Sequence, residues 1–421
     1  MKTDDIKAGF NQYLINQTDF LDRKDKMSED AMRAFLQKSF IDFSKVVKFE
    51  IPLEQQGDVI RSLITGLASL GPLRPLMEDP LITEIMVNGP DLIYIQRHGK
   101  IEKANIKFDH NQHLLHTIQK LLASTGANKR LDESSAYVDF SLPDGSRVNA
   151  IIPPLSQIGP VMTIRKFKED ITTVENLIEL GELDRNIADL LILAMKAKLN
   201  VIFCGSTGSG KTTALNVFSS YIPEDERIIT IEDTPELRLK QEHVVTLCTK
   251  DANIEGRGQI TMRELFINCL RMRPDRIIVG ELRGAEVLDM IESISSGHSG
   301  SLSIVHAESP EDCFNRLVTM MLMTGIRLST DEIRKQVARA IDIVVHLELF
   351  SDGKRRMTAM TDVVFDEKTK EVNLYDIFRF KQTDHASDGK ISGYWEMNKN
   401  QPSFFYKFAK RNVAVPNNLF V

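Results

Sequence analysis

The pattern of apolar and polar positions divides the chain into regions of different character. Residues 1–50 are rich in charged and polar side chains, and their apolar residues recur at helical spacing, which predicts an N-terminal helical segment. Residues 51–165 mix helical and strand periodicities, and residues 184–421 alternate short apolar runs with amphipathic stretches. The polar stretch 166–183 between them predicts an interdomain linker.

The region 51–165 predicts a small α+β domain with an antiparallel sheet. Apolar residues at a 3.6-residue period predict helices over 57–70 and 111–125. Period-2 segments bounded by Gly, Pro and Asn predict strands. These predicted strands cover residues 82–87, 92–96, 137–142, 147–152 and 161–165.

The region 184–421 predicts an α/β domain. Strands that alternate with helices are typical of a mainly parallel sheet covered on both faces. Residues 355–380 are expected to add further strands, and the tail beyond residue 385 is left unassigned. The predicted strands of the parallel part cover residues 199–204, 227–231, 276–280, 302–306 and 341–348.

One stretch in this domain points directly to chemistry. Gly205-Ser-Thr-Gly-Ser-Gly-Lys-Thr212 follows an apolar run and precedes a helix, which is the context of a phosphate-binding loop. Its glycines allow backbone N–H groups to surround a phosphate, and the helix N-terminus adds positive partial charge. The alternative is a glycine-rich turn. The predicted nucleotide-binding residues are Gly205, Ser206, Thr207, Gly208, Ser209, Gly210, Lys211, Thr212 and Thr213.

Acidic residues and histidines follow other predicted strands of the same domain. Glu232 ends one strand, and Glu281 follows Gly280 at a Walker B position, with Glu in place of the usual Asp. Carboxylates at these strand ends can reach Mg²⁺ or a water molecule. His298 lies in a glycine-rich turn and His306 ends a strand, so both are candidates to contact a γ-phosphate. Solvated turn carboxylates and structural histidines are the alternatives.

Two arginines of the smaller domain are further candidates. Arg147 and Arg165 lie on predicted strands before the linker. P-loop ATPases often receive an arginine from another domain or subunit, which stabilises charge on the transferred phosphate. Residue type alone leaves open that both are solvated arginines of an exposed sheet face.

Composition limits the possible classes of protein. The 421 residues are 42% apolar and 27% charged, with a net charge of -6, which argues weakly against a nucleic-acid motor. No apolar run reaches the ~18 residues that span a bilayer, and the N-terminus lacks a signal-peptide core. We therefore expect a cytoplasmic protein with peripheral membrane contact. The four cysteines lack CxxC spacing, so zinc is not expected.

Four motifs taken together resemble the Walker A, Asp box, Walker B and His box of the type II/IV secretion ATPases, the GspE/PilT-like superfamily. Within it the chain looks most similar to the CpaF branch, which serves Tad (Flp) pili, and the resemblance covers about residues 50–395. The superfamily motifs are Gly205–Thr212, Ile231–Leu237, Arg271–Glu281 and Ser296–Ala307. The branch-like segments are Leu131–Ser135, Leu142–Pro154, Gly256–Thr261 and Ile341–His346.

The resemblance implies a RecA-like C-terminal domain, a PAS-like N-terminal domain, and a homohexamer that uses ATP and Mg²⁺. It also implies roles for the candidate residues. Lys211 and Thr212 hold phosphates and metal, Glu281 activates water, and Glu232 supports metal and water. Arg147 and Arg165 close onto the γ-phosphate, and His298 and His306 sense it. The implied metal-site residues are Thr212, Glu232 and Glu281.

Three functions remain open from the sequence. The first is an ATP-driven motor that assembles a Tad-type pilus, and in some systems retracts it, through a polytopic inner-membrane platform protein. The second is a conjugation-type secretion ATPase that moves protein or DNA through an envelope channel. The third is a nucleotide-gated regulator that hydrolyses ATP negligibly. We expect no nucleic acid among the direct partners of the first, because the chain is acidic overall.

Overall fold

The computed structural model describes residues 10, 13–14, 29–47, 70–97, 99–125, 129–166, 173–250, 252, 257–385, 391–416 and 419. Of the predicted helix over 57–70, only residue 70 is among the described residues. The chain forms two compact units, Met1–Lys168 and Glu169–Val421.

The first unit is built on a six-stranded antiparallel sheet in the order β3-β2-β1-β6-β5-β4. Helix α3 contributes Leu114 and Ile118 to a core that includes Ile85, Val148 and Ile164 from the sheet. The elements are α1 Glu29–Val47, α2 Arg74–Glu78, β1 Ile82–Asn88, β2 Ile93–Arg97, β3 Lys100–Lys103, α3 Asn111–Ser124, β4 Tyr137–Ser141, β5 Arg147–Ile151 and β6 Val161–Arg165. The predicted antiparallel α+β arrangement is confirmed.

The second unit contains a nine-stranded sheet in the order β15-β14-β13-β12-β7-β11-β10-β8-β9. Strands β12 to β9 of that order are parallel, and β13 to β15 extend the sheet with antiparallel pairing. The helices are α4 Val174–Glu179, α5 Arg185–Lys196, α6 Lys211–Ser219, α7 Met262–Cys269, α8 Glu286–Ser295, α9 Pro310–Met323, α10 Thr330–Ala340 and α11 Tyr406–Lys410. The strands are β7 Val201–Gly205, β8 Ile228–Glu232, β9 Val244–Cys248, β10 Arg276–Val279, β11 Leu302–His306, β12 Ile343–Leu349, β13 Arg355–Phe365, β14 Val372–His385 and β15 Ile391–Met397.

Helices cover both faces of the parallel part of this sheet. On β7, Val201 and Phe203 pack into a cluster with residues of α5 and α6. Ile202 and Cys204 point to the opposite face and pack with residues of α7 to α10. A strand buried on both faces reads as a continuous apolar run, which is why β7 was recognisable in the sequence. The predicted α/β class with a mainly parallel sheet is confirmed.

Part of the predicted linker is folded with the second unit. Helix α4 lies within the stretch 166–183, and its Val174 and Leu177 are buried in the core of that unit. The Thr173 hydroxyl caps the helix by accepting a hydrogen bond from the Asn176 N–H at 3.2 Å. The stretch was predicted as a linker because most of its residues are polar. Two apolar residues three positions apart, Val174 and Leu177, are enough to anchor a short helix to the core.

Candidate functional site

The glycine-rich loop lies between the end of β7 at Gly205 and the start of α6 at Lys211. Gly205 has φ +150°, and a Cβ atom there would lie 2.1 Å from the backbone oxygen of Leu347 on the neighbouring β12. Gly210 precedes α6 with φ +97°. Both positions require glycine because a side chain would clash or strain the backbone. The predicted strand, loop and helix are confirmed, and the loop opens at the carboxyl end of the parallel strands.

The Lys211 ammonium points into this loop. Nζ donates hydrogen bonds to the backbone oxygens of Gly205 at 3.0 Å and Ser206 at 2.7 Å, and the side chain is buried. Thr212 and Thr213 form the first turn of α6 and are half-buried, whereas Ser206 and Thr207 are exposed. Backbone N–H groups at a helix N-terminus together with a buried ammonium form a site for a polyphosphate.

A chain of polar contacts connects this ammonium with the end of the adjacent strands. Lys211 Nζ lies 3.5 Å from Nδ1 of His306, the last residue of β11. His306 Nε2 lies 3.2 Å from Oε1 of Glu281, and Arg283 Nη2 donates to Oε2 of Glu281 at 2.6 Å. The structure therefore brings three predicted site residues together: Lys211, Glu281 and His306.

The protonation of His306 follows from its neighbours. Burial, and then the positive charge of Lys211, lower the pKa of His306 below its ordinary value. The neutral ring has one acceptor and one donor nitrogen. Nδ1 is then the acceptor toward the Lys211 ammonium, and Nε2–H donates to the Glu281 carboxylate. In this state the histidine forms a contact with the P-loop ammonium on one side and with the Glu281 carboxylate on the other.

Glu232 lies at the end of β8 but is directed at the backbone. Its Oε2 accepts hydrogen bonds from the N–H groups of Glu236 at 2.7 Å and Leu237 at 2.9 Å, and its side chain is buried. A Cβ atom on Gly280 would lie 2.9 Å from Glu232 Cγ, so the glycine before Glu281 makes room for this carboxylate. Glu232 thus shapes the loop after β8.

His298 does not join this group of residues. It precedes β11, whereas His306 ends it, and a strand of this length spans about 13 Å. The backbone N–H of His298 donates to the Ser293 oxygen at 3.1 Å, and the nearby Gly300 carbonyl faces Arg276, the first residue of β10. His298 therefore lies at the amino-terminal edge of the parallel strands, opposite the loop.

Arg147 and Arg165 belong to the first unit. They are directly opposite each other on β5 and β6, and Glu84 on β1 is opposite Arg165. Arg165 Nε is 3.9 Å from Glu84 Oε1, and the Arg165 side chain is exposed. Like charges directly opposite on a sheet repel each other. The register therefore places two like charges side by side, with Glu84 as the acidic neighbour of Arg165.

Sequence reasoning missed three residues around the loop. Arg283 lies two positions after Glu281, so its place in the Walker B segment could have marked it as a partner of that carboxylate. Arg355 begins β13, and its Nε donates to the Gly208 backbone oxygen at 2.8 Å. Glu182 comes from the predicted linker, and its buried carboxyl lies near Gly210. No local sequence pattern points to Arg355 or Glu182, because both come close to the loop only when the chain folds.

A parallel sheet that carries a glycine-rich loop at the carboxyl end of β7, followed by α6, defines an α/β P-loop nucleotide-binding protein. The family model "Type II/IV secretion system protein" matches residues 67–388. The chain therefore belongs to the type II/IV secretion system protein family; it has the RecA-like fold of these proteins and is an ATPase.

Individual relatives agree with this assignment. A putative conjugal transfer protein of Mycobacterium tuberculosis is 32% identical over 71% of this chain and 85% of its own length. VirB11, a type IV secretion system protein of Brucella suis, is 33% identical over 72% of this chain and 90% of its own. The Legionella pneumophila ATPase DotB matches with a TM-score of 0.50 at 20% identity, covering 73% of this chain and 82% of that one, which supports the fold. Among the helices that the structure describes, none is long and apolar enough to cross a bilayer.

Proposed function

We propose that this ATPase is the subunit of a homohexameric, Mg²⁺-dependent motor that assembles a Tad-type pilus. In this proposal it acts from the cytoplasmic side of the inner membrane through a polytopic platform protein. The observation that carries the motor chemistry is the continuous contact from Lys211 through His306 to Glu281. It links the phosphate-binding loop with the carboxylate that we assign to water activation.

The residues of the second unit have distinct roles in this mechanism. Backbone N–H groups of the loop and the Lys211 ammonium bind the β- and γ-phosphates. Glu281 orients the attacking water and accepts a proton from it. His306 contacts Oε1 of Glu281 and so holds this carboxylate in place. Mg²⁺, when bound with ATP, neutralises charge on the phosphate oxygens. Thr212 would hold the metal, with Glu281 and Glu232 acting through its waters, because Mg²⁺ keeps several water ligands.

For Arg147 and Arg165 of the first unit we propose the role that the resemblance implies, contact with the γ-phosphate. Their direct opposition on β5 and β6 supports a role in binding the γ-phosphate, since an anion relieves the repulsion between them. Arg165→Ala should therefore reduce kcat and leave the affinity for MgADP nearly unchanged. Lys100→Ala, on the exposed strand β3, is the matched control. Unchanged kinetics of the Arg165 variant would contradict this role and favour the alternative, that both are solvated arginines of an exposed sheet face.

The hydrolytic proposal is tested on the full chain. Glu281→Gln should keep binding of ATP and lose turnover, whereas Glu292→Gln, an exposed glutamate of α8, should retain both. Hydrolysis by Glu281→Gln at the wild-type rate would show that another carboxylate is the general base. Mass in solution with Mg-ATP tests the ring: a six-subunit species supports the motor, and a stable monomer that binds ATP without turnover supports the regulator.

The branch-like segments support the Tad assignment, whereas the names of two relatives favour a conjugation-type secretion ATPase as the second candidate. Catalytic residues cannot separate the two, because both motors use the same chemistry. Deletion of the gene in the host separates them. Loss of surface pili, restored by the wild-type gene but not by its Glu281→Gln form, supports the first. Intact pili with loss of protein or DNA transfer support the second.

A further inference from the structure

The outer side of the phosphate-binding loop is packed against residues that lie far away in the sequence. Arg355, the first residue of β13, donates from Nε to the Gly208 oxygen at 2.8 Å. A Cβ atom on Gly210 would lie 3.1 Å from Arg355 Cδ and 3.9 Å from Glu182 Oε2. The aliphatic part of one arginine therefore covers Gly210 while its guanidinium binds the neighbouring Gly208 peptide.

The direction of this peptide determines what the loop can bind. A loop that surrounds phosphate turns several N–H groups inward, and the carbonyl oxygens of those same peptides then point outward. A half-buried outward carbonyl needs a donor, and a charged donor forms the stronger hydrogen bond. Arg355 supplies this donor at Gly208, one residue before Ser209 and two before Gly210. It therefore fixes the plane of the Gly208–Ser209 peptide, whose N–H donates to the Ser206 oxygen at 3.4 Å.

The charge of Arg355 has a second consequence. Glu182 is buried beside the loop, where an uncompensated carboxylate would repel phosphate. Burial raises the pKa of Glu182 to about 7, and the guanidinium of Arg355 opposes this rise and offsets the charge of Glu182 when it is ionised. Without Arg355, the loop would lose a donor and a compensating charge at the same place.

We propose that Arg355 is a positioning residue for nucleotide binding, which orients the Gly208–Ser209 peptide and balances Glu182. It acts through the loop and does not reach the reacting atoms. This proposal rests on the assignment of residues 205–212 as the phosphate-binding loop. Loss of the Arg355–Gly208 hydrogen bond should weaken binding of MgATP and MgADP together, and leave the chemical step at Glu281 largely intact.

The experiment measures KM for MgATP, kcat, and Kd for MgADP in full-length variants. Arg355→Met keeps the apolar stem over Gly210 and removes the donor, so KM and Kd should rise about tenfold with kcat within threefold of wild type. Arg355→Lys, which restores a positive donor, should recover part of the affinity. Arg339→Gln, which breaks a surface contact with Glu367, is the matched control and should leave both constants unchanged.

The outcomes are separable. KM and Kd of Arg355→Met within twofold of wild type would overturn the proposal. If that variant does not fold, Arg355→Leu, which also lacks a donor, carries the same expectation and the same refutation. A Lys211→Ala variant that binds MgADP normally would instead show that the loop assignment is wrong. A fall in kcat at constant KM would place Arg355 in the chemistry and contradict a positioning role.

Discussion

Replacement of Glu182 by Gln should stabilise the second unit, and increasingly so as the pH rises. Burial raises the pKa of Glu182 from 4.5 to about 7, and the charge of Arg355 offsets only part of this effect. Between these values the native state keeps a proton that the unfolded chain has released, so wild-type stability falls as pH increases. The difference of about 2.5 pKa units corresponds to about 3 kcal/mol at 1.36 kcal/mol per unit.

Thermal unfolding of wild type and Glu182→Gln at pH 5, 6, 7 and 8 measures this term. For a unit the size of Glu169–Val421, about 3 kcal/mol corresponds to a Tm difference of about 6–12 °C, approached at pH 8 and about a quarter as large at pH 5. Glu179→Gln, an exposed glutamate at the end of α4, controls for a general effect of charge removal. A Tm difference that stays flat from pH 5 to pH 8 would refute the assignment of a buried Glu182 with a raised pKa.

Three further predictions follow from contacts in the second unit. Gly205→Ala places Cβ 2.1 Å from the Leu347 backbone oxygen, so it should lower Tm and abolish nucleotide binding. Gly353→Ala is the control: its φ is +78° but no atom lies close, so it should lower the free energy of unfolding by only about 1 kcal/mol. Arg276→Met removes the fully buried partner of Glu226, which keeps Lys198 at 3.5 Å, and should destabilise by about 3 kcal/mol in denaturant unfolding; an unchanged midpoint would contradict this. His306→Asn should reduce kcat about tenfold while MgADP affinity stays within threefold, since it removes the contact between Lys211 and Glu281, the carboxylate that we assign to water activation. Wild-type turnover in that variant would show that the histidine contact is dispensable.

Buried strands of the fold were predictable from the sequence, and three of the four edge strands were not; the fourth, β4, was predicted over residues 137–142 because Val138 and Phe140 alternate with exposed positions. β7 and β11 are buried along almost their whole length, so each appears as an apolar run of strand length. β3 is exposed at all its positions, and β9 and β15 alternate only weakly. These three strands form outer edges of the two sheets, where one neighbouring strand is absent and apolar side chains are fewer.

The candidate site was predictable as separate pieces. The loop and Lys211 depend on local backbone conformation, which Gly205 and Gly210 reveal directly. The two histidines of one motif show the limit of this reasoning, because spacing alone suggested a common role. Strand β11 separates them, so that His306 faces the loop and His298 lies at the opposite edge.

By itself, the sequence determined the periodicities, the strand–loop–helix unit and the order of its motifs, because each depends on residues close together in the chain. Only the tertiary structure decided which side chains meet. Lys211 and His306 are 95 residues apart, and they come into contact because β11 pairs in parallel with β7. Arg355 reaches Gly208, 147 residues away, because β12 pairs with β7 and turns into β13. Strand order within a sheet is set by the packing of the whole domain, and no local pattern encodes it.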